Sequence, residues 1–254
     1  MGILKLLIAG WKSISLVDVQ GHPVFTLWTC KCNLKCPFCH NWRLADADPQ
    51  ICKYVDVDFL IEEIQASKNL VDYLHVTGGE PLVQKESLAV LFEKSHAEGV
   101  LNSLNSNLTL YQPLKELVEK GLVDHVATDL KYPPEELYGL PASTARMLWR
   151  EFKESLKLLK QQKIPLELRV PVHAGLSSDL LRSVLEELSK YLSIDSTIVV
   201  LNQIVGEPLV SPRNLEWVRK HIVTNEERFR ELAEAVKSLG FSKVYVKSIP
   251  GFRS

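Results

Sequence analysis

The chain has 254 residues, 46 % hydrophobic and 24 % charged, a globular composition with enough length for one α/β barrel or two smaller domains. A formal net charge of −1 excludes a strong overall field for nucleic acid or anionic membrane. No segment reaches the ~20 apolar residues of a bilayer-spanning helix. The apolar run at 3–9 is interrupted by Lys5 and lacks a basic leader and a small-residue cleavage site, so it reads as a first strand or core segment. The default location is then the cytoplasm, where disulfides are rare and clustered cysteines point to metal or redox chemistry.

Along the chain, β-rich runs alternate with helical patterns. Residues 23–30 predict a strand. Residues 56–69 predict a helix with Asp56 at its N-cap and Phe59, Leu60 and Ile64 at helical spacing. A strand at 73–79 ends in glycines, and a helix at 87–99 is stopped by Gly99. A strand follows at 101–107, then a helix at 110–121 that Gly121 ends, then a strand at 124–131. The same rhythm gives a helix at 144–162, a strand at 166–172, a helix at 177–192, a strand at 197–204, a helix at 225–240 and a last strand at 243–249. Strands alternating with helices imply a parallel sheet with right-handed crossovers. No linker-like or low-complexity tract interrupts them, so residues 1–254 read as one α/β domain, a full or partial β/α barrel, with a doubly wound open sheet as second choice.

In a β/α barrel the chemistry gathers where strands end. The unusual residues of this chain fall at four consecutive strand ends: the cysteines after 23–30, GGEP at 78–81, NSN at 105–107 and DLK at 129–131. Cys32, Cys36 and Cys39 stand as C-x3-C-x2-C, a spacing suited to an iron–sulfur cluster with one iron left open. Zinc is the competing reading, with Cys30 or His40 completing a tetrahedron, but zinc ligands usually come as two separated pairs and no second pair exists. Gly78 and Gly79 allow close approach of the backbone to a ligand, and Glu80 can accept hydrogen bonds from an ammonium group. GGEP is otherwise a plain strand-to-helix turn, Lys131 a solvated loop lysine and Arg169 half of a structural ion pair. His75 and His173, in apolar strands, read as satisfied core histidines, and Cys30, at a strand end, as a buried thiol.

Taken together, these motifs carry a resemblance. CNLKCPFCHN (32–41) resembles the signature loop of radical S-adenosylmethionine (SAM) enzymes, and its His40-Asn41 is similar to the branch that activates glycyl-radical enzymes. SLVDVQG (15–21) resembles the Val-Asp-Gly stretch of that branch, GGEPL (78–82) the second motif of the family, and DLK (129–131) its Asp-x-Lys. The match runs in order from about residue 13 to 131 and loosely on to Arg169. The resemblance implies a partial (β/α) barrel of radical SAM type, with parallel strands and outer helices. It implies a [4Fe–4S] cluster on Cys32, Cys36 and Cys39, with the amino and carboxylate groups of SAM on the open iron. An electron from a donor such as flavodoxin or ferredoxin would cleave SAM to a 5′-deoxyadenosyl radical that abstracts hydrogen, in this branch from a glycine of a partner glycyl-radical enzyme. SAM contacts would come from Phe38, Gly78, Gly79, Glu80, Asn105, Ser106, Asn107, Asp129, Lys131 and Asn202. Asp18, Lys131 and Arg169 would serve catalysis, with Asp18 holding the incoming glycine loop.

Three departures qualify this resemblance. Asn105 replaces an acid that in the branch helps to bind a monovalent cation, Lys31 replaces a glycine, and the late SAM-contacting histidine has no counterpart nearer than Asn202. A radical SAM enzyme acting on a small molecule or a tRNA base, and a zinc-stabilised module without catalysis, are the alternatives. Five cysteines cannot supply an auxiliary cluster. Alanine at Cys32, Cys36 or Cys39 is expected to abolish iron binding and SAM cleavage after anaerobic reconstitution, and Cys30→Ala to keep the full iron complement. Loss of the cluster in the Cys30 variant alone would refute the ligand assignment.

Overall fold

A computed structural model describes residues 4–248. The chain divides into two compact units, one built on Met1–Leu34 and Asn41–Ala127, the other on Lys35–His40 and Thr128–Ser254. The first residues of the predicted opening segment and the end of the last predicted strand, Ile3 and Ile249, lie outside the described residues, as does the tail at 250–254.

In the first unit, β1 (Lys5–Val19) and β2 (His22–Thr29) form an antiparallel hairpin closed by Gln20 and Gly21, with Gly21 at φ +82°. The stretch 15–21 is thus the end of β1 and its turn. A short helix α1 (Trp42–Ala45) leads towards β3 (Lys53–Asp56), which pairs antiparallel with the start of β1. Neither β3 nor the antiparallel pairing was expected from the alternating pattern. Beyond this hairpin the expected α/β order holds. β2, β4 (Tyr73–Gly78), β5 (Leu101–Asn105) and β6 (His125–Asp129) run parallel, joined through α2 (Val57–Ser67), α3 (Lys85–Ala97) and α4 (Tyr111–Glu119). The division between the units falls within β6, after Ala127.

The apolar periodicity of the helices buries one face of each. Leu60 and Ile64 of α2 and Leu88, Leu91 and Phe92 of α3 are fully enclosed. Phe59 departs from this pattern: it is exposed, with its ring edge-on to Trp11 at 5.7 Å. Asp56 occupies the N-cap position of α2 without making a side-chain cap bond. Gly99 and Gly121 follow α3 and α4 in left-handed conformation, as terminating glycines should.

One face of the first unit's sheet is polar and buried. Thr26, His75, Ser103 and His125 sit in register across β2, β4, β5 and β6. The Ser103 hydroxyl lies 2.8 Å from Nδ1 of both histidines, and Thr26 donates to Asp18 at 2.7 Å. Two residues further along, Asn105 Nδ2 donates to Thr77 Oγ1 at 2.8 Å. Hydrogen bonding makes these interior polar groups tolerable.

The second unit has its own parallel strands, β7 (Leu166–Val172), β8 (Ile198–Gln203) and β9 (Lys243–Lys247), in that order. A long helix α6 (Ala142–Gln161) precedes β7, α7 (Ser178–Leu188) precedes β8 and α9 (Glu226–Lys237) precedes β9. Two short helices, α5 (Pro134–Leu137) and α8 (Leu215–His221), were not predicted. Among the described residues no helix is long and apolar enough to cross a membrane.

Asn102 pins the crossover between β5 and its neighbours: its buried Nδ2 donates to the carbonyls of Phe92 and Leu122, both at 3.0 Å. Asn102→Ala orphans two interior acceptors at roughly 1–3 kcal/mol each. Urea unfolding should show the loss as a lower midpoint with an unchanged slope.

Candidate functional site

In the first unit the site is built where β2, β4 and β5 end. β2 delivers Cys30, whose N–H donates to Leu7 O at 2.9 Å. Lys31 then turns the chain with φ +72°, and Cys32 follows. The GGEP turn closes directly over this bend. Gly79 N–H donates to Thr29 O at 2.8 Å and Glu80 N–H to Lys31 O at 2.7 Å. A Cβ on Gly78 would stand 2.4 Å from Thr29 O, and one on Gly79 2.1 Å from Lys31 O. The expected close approach is therefore to the backbone of the cysteine loop, and no side chain larger than hydrogen fits at either position.

Glu80 is fully buried, and its carboxylate works locally. Oε1 accepts from Leu82 N–H at 3.1 Å and from the Ser106 hydroxyl at 2.8 Å, while Oε2 accepts from Asn107 N–H at 2.7 Å. This locks the NSN turn after β5 onto the GGEP turn after β4. Asn107, so held, directs its amide to Asn33 Oδ1 at 2.8 Å and to Cys32 Sγ at 3.9 Å. Leu34 N–H also points at Cys32 Sγ, at 3.4 Å. N–H groups on a cysteine sulfur favour its thiolate, the form that binds metal. Asn33 and Thr109, which bond each other at 2.7 Å, complete the brace. Neither was singled out in the sequence, although Asn33 stands inside the cysteine motif.

Cys36 and Cys39 belong to the second unit. Cys39 N–H donates to Cys36 O at 3.2 Å, a tight turn with one cysteine at each end. Three further bonds hold this turn: Lys35 N–H to Tyr138 O (2.9 Å), Arg213 N–H to Cys39 O (3.0 Å) and Asn214 N–H to Pro37 O (2.9 Å). Gly139, at φ +65°, is required here, because a Cβ would lie 2.0 Å from Lys35 O. The Phe38 ring is 6.0 Å from Trp217, which stacks on His221 at 4.2 Å. Asn214 is also the N-cap of α8, accepting from Trp217 N–H at 2.9 Å. That cap was the available signal for the missed helix.

The end of β6 and the first half of β7 carry two close charged pairs in the second unit. Lys131 Nζ lies 2.9 Å from Asp129 Oδ2, and Arg169 Nε lies 2.6 Å from Oε1 of the fully buried Glu167. Burial pushes the Asp129 carboxyl up, but Lys131 and then Arg169 outweigh it and hold the group below the ordinary carboxylate range. Burial pushes His40 down and favours its neutral ring, an effect partly offset by Asp129. Arg169 does form the structural ion pair weighed in its sequence reading, with a partner, Glu167, that the sequence reading missed. At the end of β8 the buried Oδ1 of Asn202 has no hydrogen-bond partner among the described residues. Asp18 is engaged by Thr26 in the first unit. His75 is satisfied by Ser103, and His173, pushed down by burial, bonds Tyr132 O at 3.2 Å through Nε2.

Cys30 is buried as expected but is not a free thiol: it is joined to Cys52 in a disulfide. This pairing departs from the expectation that disulfides are rare in a cytoplasmic protein. Three cysteines stand outside the disulfide, Cys32, Cys36 and Cys39. Among the described residues no three His, Cys, Asp or Glu side chains already stand together as a metal cage. The fit to a cluster rests on the donor set: three cysteines outside any disulfide within eight residues, one of them met by two N–H groups. Cys30, being oxidised, cannot complete a zinc tetrahedron.

Comparison with known proteins identifies the family. A provisionally named glycyl-radical enzyme activating enzyme of Methanocaldococcus jannaschii is 26 % identical over 132 residues, covering 50 % of this chain and 51 % of that protein. The (2S)-3-sulfopropanediol dehydratase activating enzyme of Klebsiella oxytoca is 27 % identical over 191 residues, covering 70 % of this chain and 58 % of that one. The chain thus spans little more than half the length of these relatives. Among solved structures, a radical SAM methyltransferase from Sphaerobacter thermophilus superposes with a TM-score of 0.65 at 14 % identity, over 92 % of this chain and 68 % of that one, and shares the partial-barrel fold expected from the sequence. The Radical SAM superfamily model matches residues 26–188, well over half of the chain. The chain therefore belongs to the Radical SAM superfamily, whose members use a [4Fe–4S] cluster and SAM.

Proposed function

We propose that this chain is a radical SAM enzyme of the activase type, with a backbone glycine of a partner glycyl-radical enzyme as its substrate. The observation that carries the reading is the cysteine arithmetic. With Cys30 and Cys52 joined, the remaining thiols are the three of the C-x3-C-x2-C loop, and none is left for an auxiliary cluster. When bound, the cluster and SAM supply a carbon radical able to abstract hydrogen. Everything else falls to side chains of the protein.

In this reading Cys32, Cys36 and Cys39 hold the cluster. Glu80 acts through Asn107 and Ser106, orienting the amide that reaches Cys32. Lys131 presents a cation for the SAM carboxylate, kept in place by Asp129, and Arg169 is aimed by Glu167. Asn202 Oδ1 is available to accept an N–H of the ligand. Phe38, packed near Trp217, offers its backbone to the adenine. Asp18 receives the incoming glycine loop, and a flavodoxin or ferredoxin supplies the electron. The relatives named as activating enzymes support the partner class. A second reading, a small molecule or tRNA base as substrate, draws on Asn105: its amide is turned to Thr77, and one carboxylate of the activase cation site is missing.

Two tests follow. The reduced protein, given SAM and candidate glycyl-radical enzymes from the same organism, should raise an organic radical on the partner, visible by electron paramagnetic resonance and lost with Asp18→Ala. SAM cleavage driven by a metabolite or tRNA, with no partner radical, would decide for the second reading.

Lys131→Met should leave the iron content unchanged and weaken SAM binding roughly 10- to 100-fold, the worth of one charge-assisted hydrogen bond. It should also raise the Asp129 carboxyl, since burial then meets less opposition. Because the folded-state value lies below the unfolded one, this pair stabilises the protein above the ordinary carboxylate range and loses that contribution as pH falls through the folded value. In the variant the folded-state value lies closer to the unfolded one, so the loss should be smaller and complete at higher pH, and carboxyl carbon NMR titration reads the folded-state value directly. Unchanged SAM affinity removes Lys131 from the site.

A further inference from the structure

We infer that the Cys30–Cys52 disulfide is a positioning staple for the metal-ligand loop, an inference that rests on the cluster reading above. The two cysteines are 22 residues apart, and the ring they close contains Cys32, Cys36 and Cys39. All three candidate ligands therefore lie on one covalently closed segment.

Both feet of the ring stand on the same strand. Cys30 is fully buried, its N–H donates to Leu7 O at 2.9 Å, and its carbonyl accepts from Gln84 Nε2 at 3.2 Å. Cys52 directly precedes β3, whose Lys53 is paired with Ile8 of β1. Leu7, Cys30 and Cys52 form a small buried cluster, covered by Leu44 and Ile51. A single residue, Lys31, separates the first foot from Cys32, and it is tied down through Leu44 O at 2.9 Å and Glu80 N–H at 2.7 Å.

The return limb, residues 42–52, is fastened at Leu44, whose carbonyl accepts from Lys31, and by Leu44 and Ile51 packed on the Cys30–Cys52 cluster. Its one helix, α1, is four residues long, and Arg43 Nε bonds Asp48 Oδ2 at 2.7 Å within the limb. Freed of the disulfide, a segment with so little regular structure has more open conformations within reach. Closing it covalently removes most of the open ones. The staple therefore restricts the loop that carries Cys32 before the cluster arrives and slows the cluster's escape afterwards. Cys30 and Cys52 act through Cys32 and its neighbours, and neither is a ligand.

The test compares three samples: the oxidised protein, the same protein reduced by a phosphine, and the Cys30→Ala/Cys52→Ala double variant. Reduction breaks the S–S bond with two electrons from phosphorus and two protons from water, giving two thiols and a phosphine oxide. In metal-free protein, limited proteolysis within residues 31–51 is compared. In cluster-loaded protein, iron loss to a chelator is followed well below the unfolding midpoint. The reduced protein and the double variant should load the same iron complement, lose it about tenfold faster and be cleaved faster in the ring, and reoxidation of the reduced protein should restore both rates. Equal iron loss and cleavage in all three samples, or a lowered unfolding midpoint with both rates unchanged, overturns the staple. Oxidised protein that binds no iron and sulfide refutes the cluster reading instead, and the metal-free proteolysis then decides the staple by itself.

Discussion

Much of the first unit's site depends on one buried carboxylate. Glu80 has no contact with solvent and is compensated through Leu82, Ser106 and Asn107. A charge in that position is costly unless each oxygen is met by donors. Here the donors come from two different turns, so the requirement to satisfy Glu80 fixes the end of β5 relative to the end of β4. The glycines before it remove the side chains that would hold the GGEP turn away from the cysteine loop. Asn107 inherits its orientation from this arrangement and passes it to Cys32. The sulfur nearest the strand is thus organised from the inside of the protein outward.

The second unit solves a similar problem by different means. Its turn from Cys36 to Cys39 is held by main-chain hydrogen bonds from the segments before α6 and at the start of α8. Backbone bonds of this kind tolerate changes of side chain, except where the approach is too close for one. Gly139 is that exception.

How legible this was in the sequence follows from range. The parallel strands and their helices were visible because their signals are local: period-two and period-3.6 patterns with glycines at the helix ends. The four strand-end motifs were visible for the same reason. Long-range features were hidden. β3 is four residues long and is defined by pairing with β1. Much of the second half of β1 is solvent-exposed, so alternation there carried little apolar signal. The Arg213 and Asn214 bonds join residues far apart in sequence, and Glu167 looked like a strand residue until Arg169 was seen beside it. The disulfide was missed because a prior about redox compartment stood in for geometry. GGEP was recognised as important from its glycines, but their close approach to the neighbouring loop is a long-range feature that the sequence does not display.

The row formed by His75, Ser103 and His125 has a further property. A serine hydroxyl carries one hydrogen, so of two imidazole nitrogens at 2.8 Å, one can receive that hydrogen while the other must give its own. When both rings are neutral, they are therefore held in opposite tautomers, and their two outer Nε2 atoms differ in kind, one bearing hydrogen and one bare. The row has a head and a tail although its residues read the same in either direction. Reversing it requires both rings and the hydroxyl to exchange hydrogens together, which makes this part of the interior a two-state object within a rigid sheet.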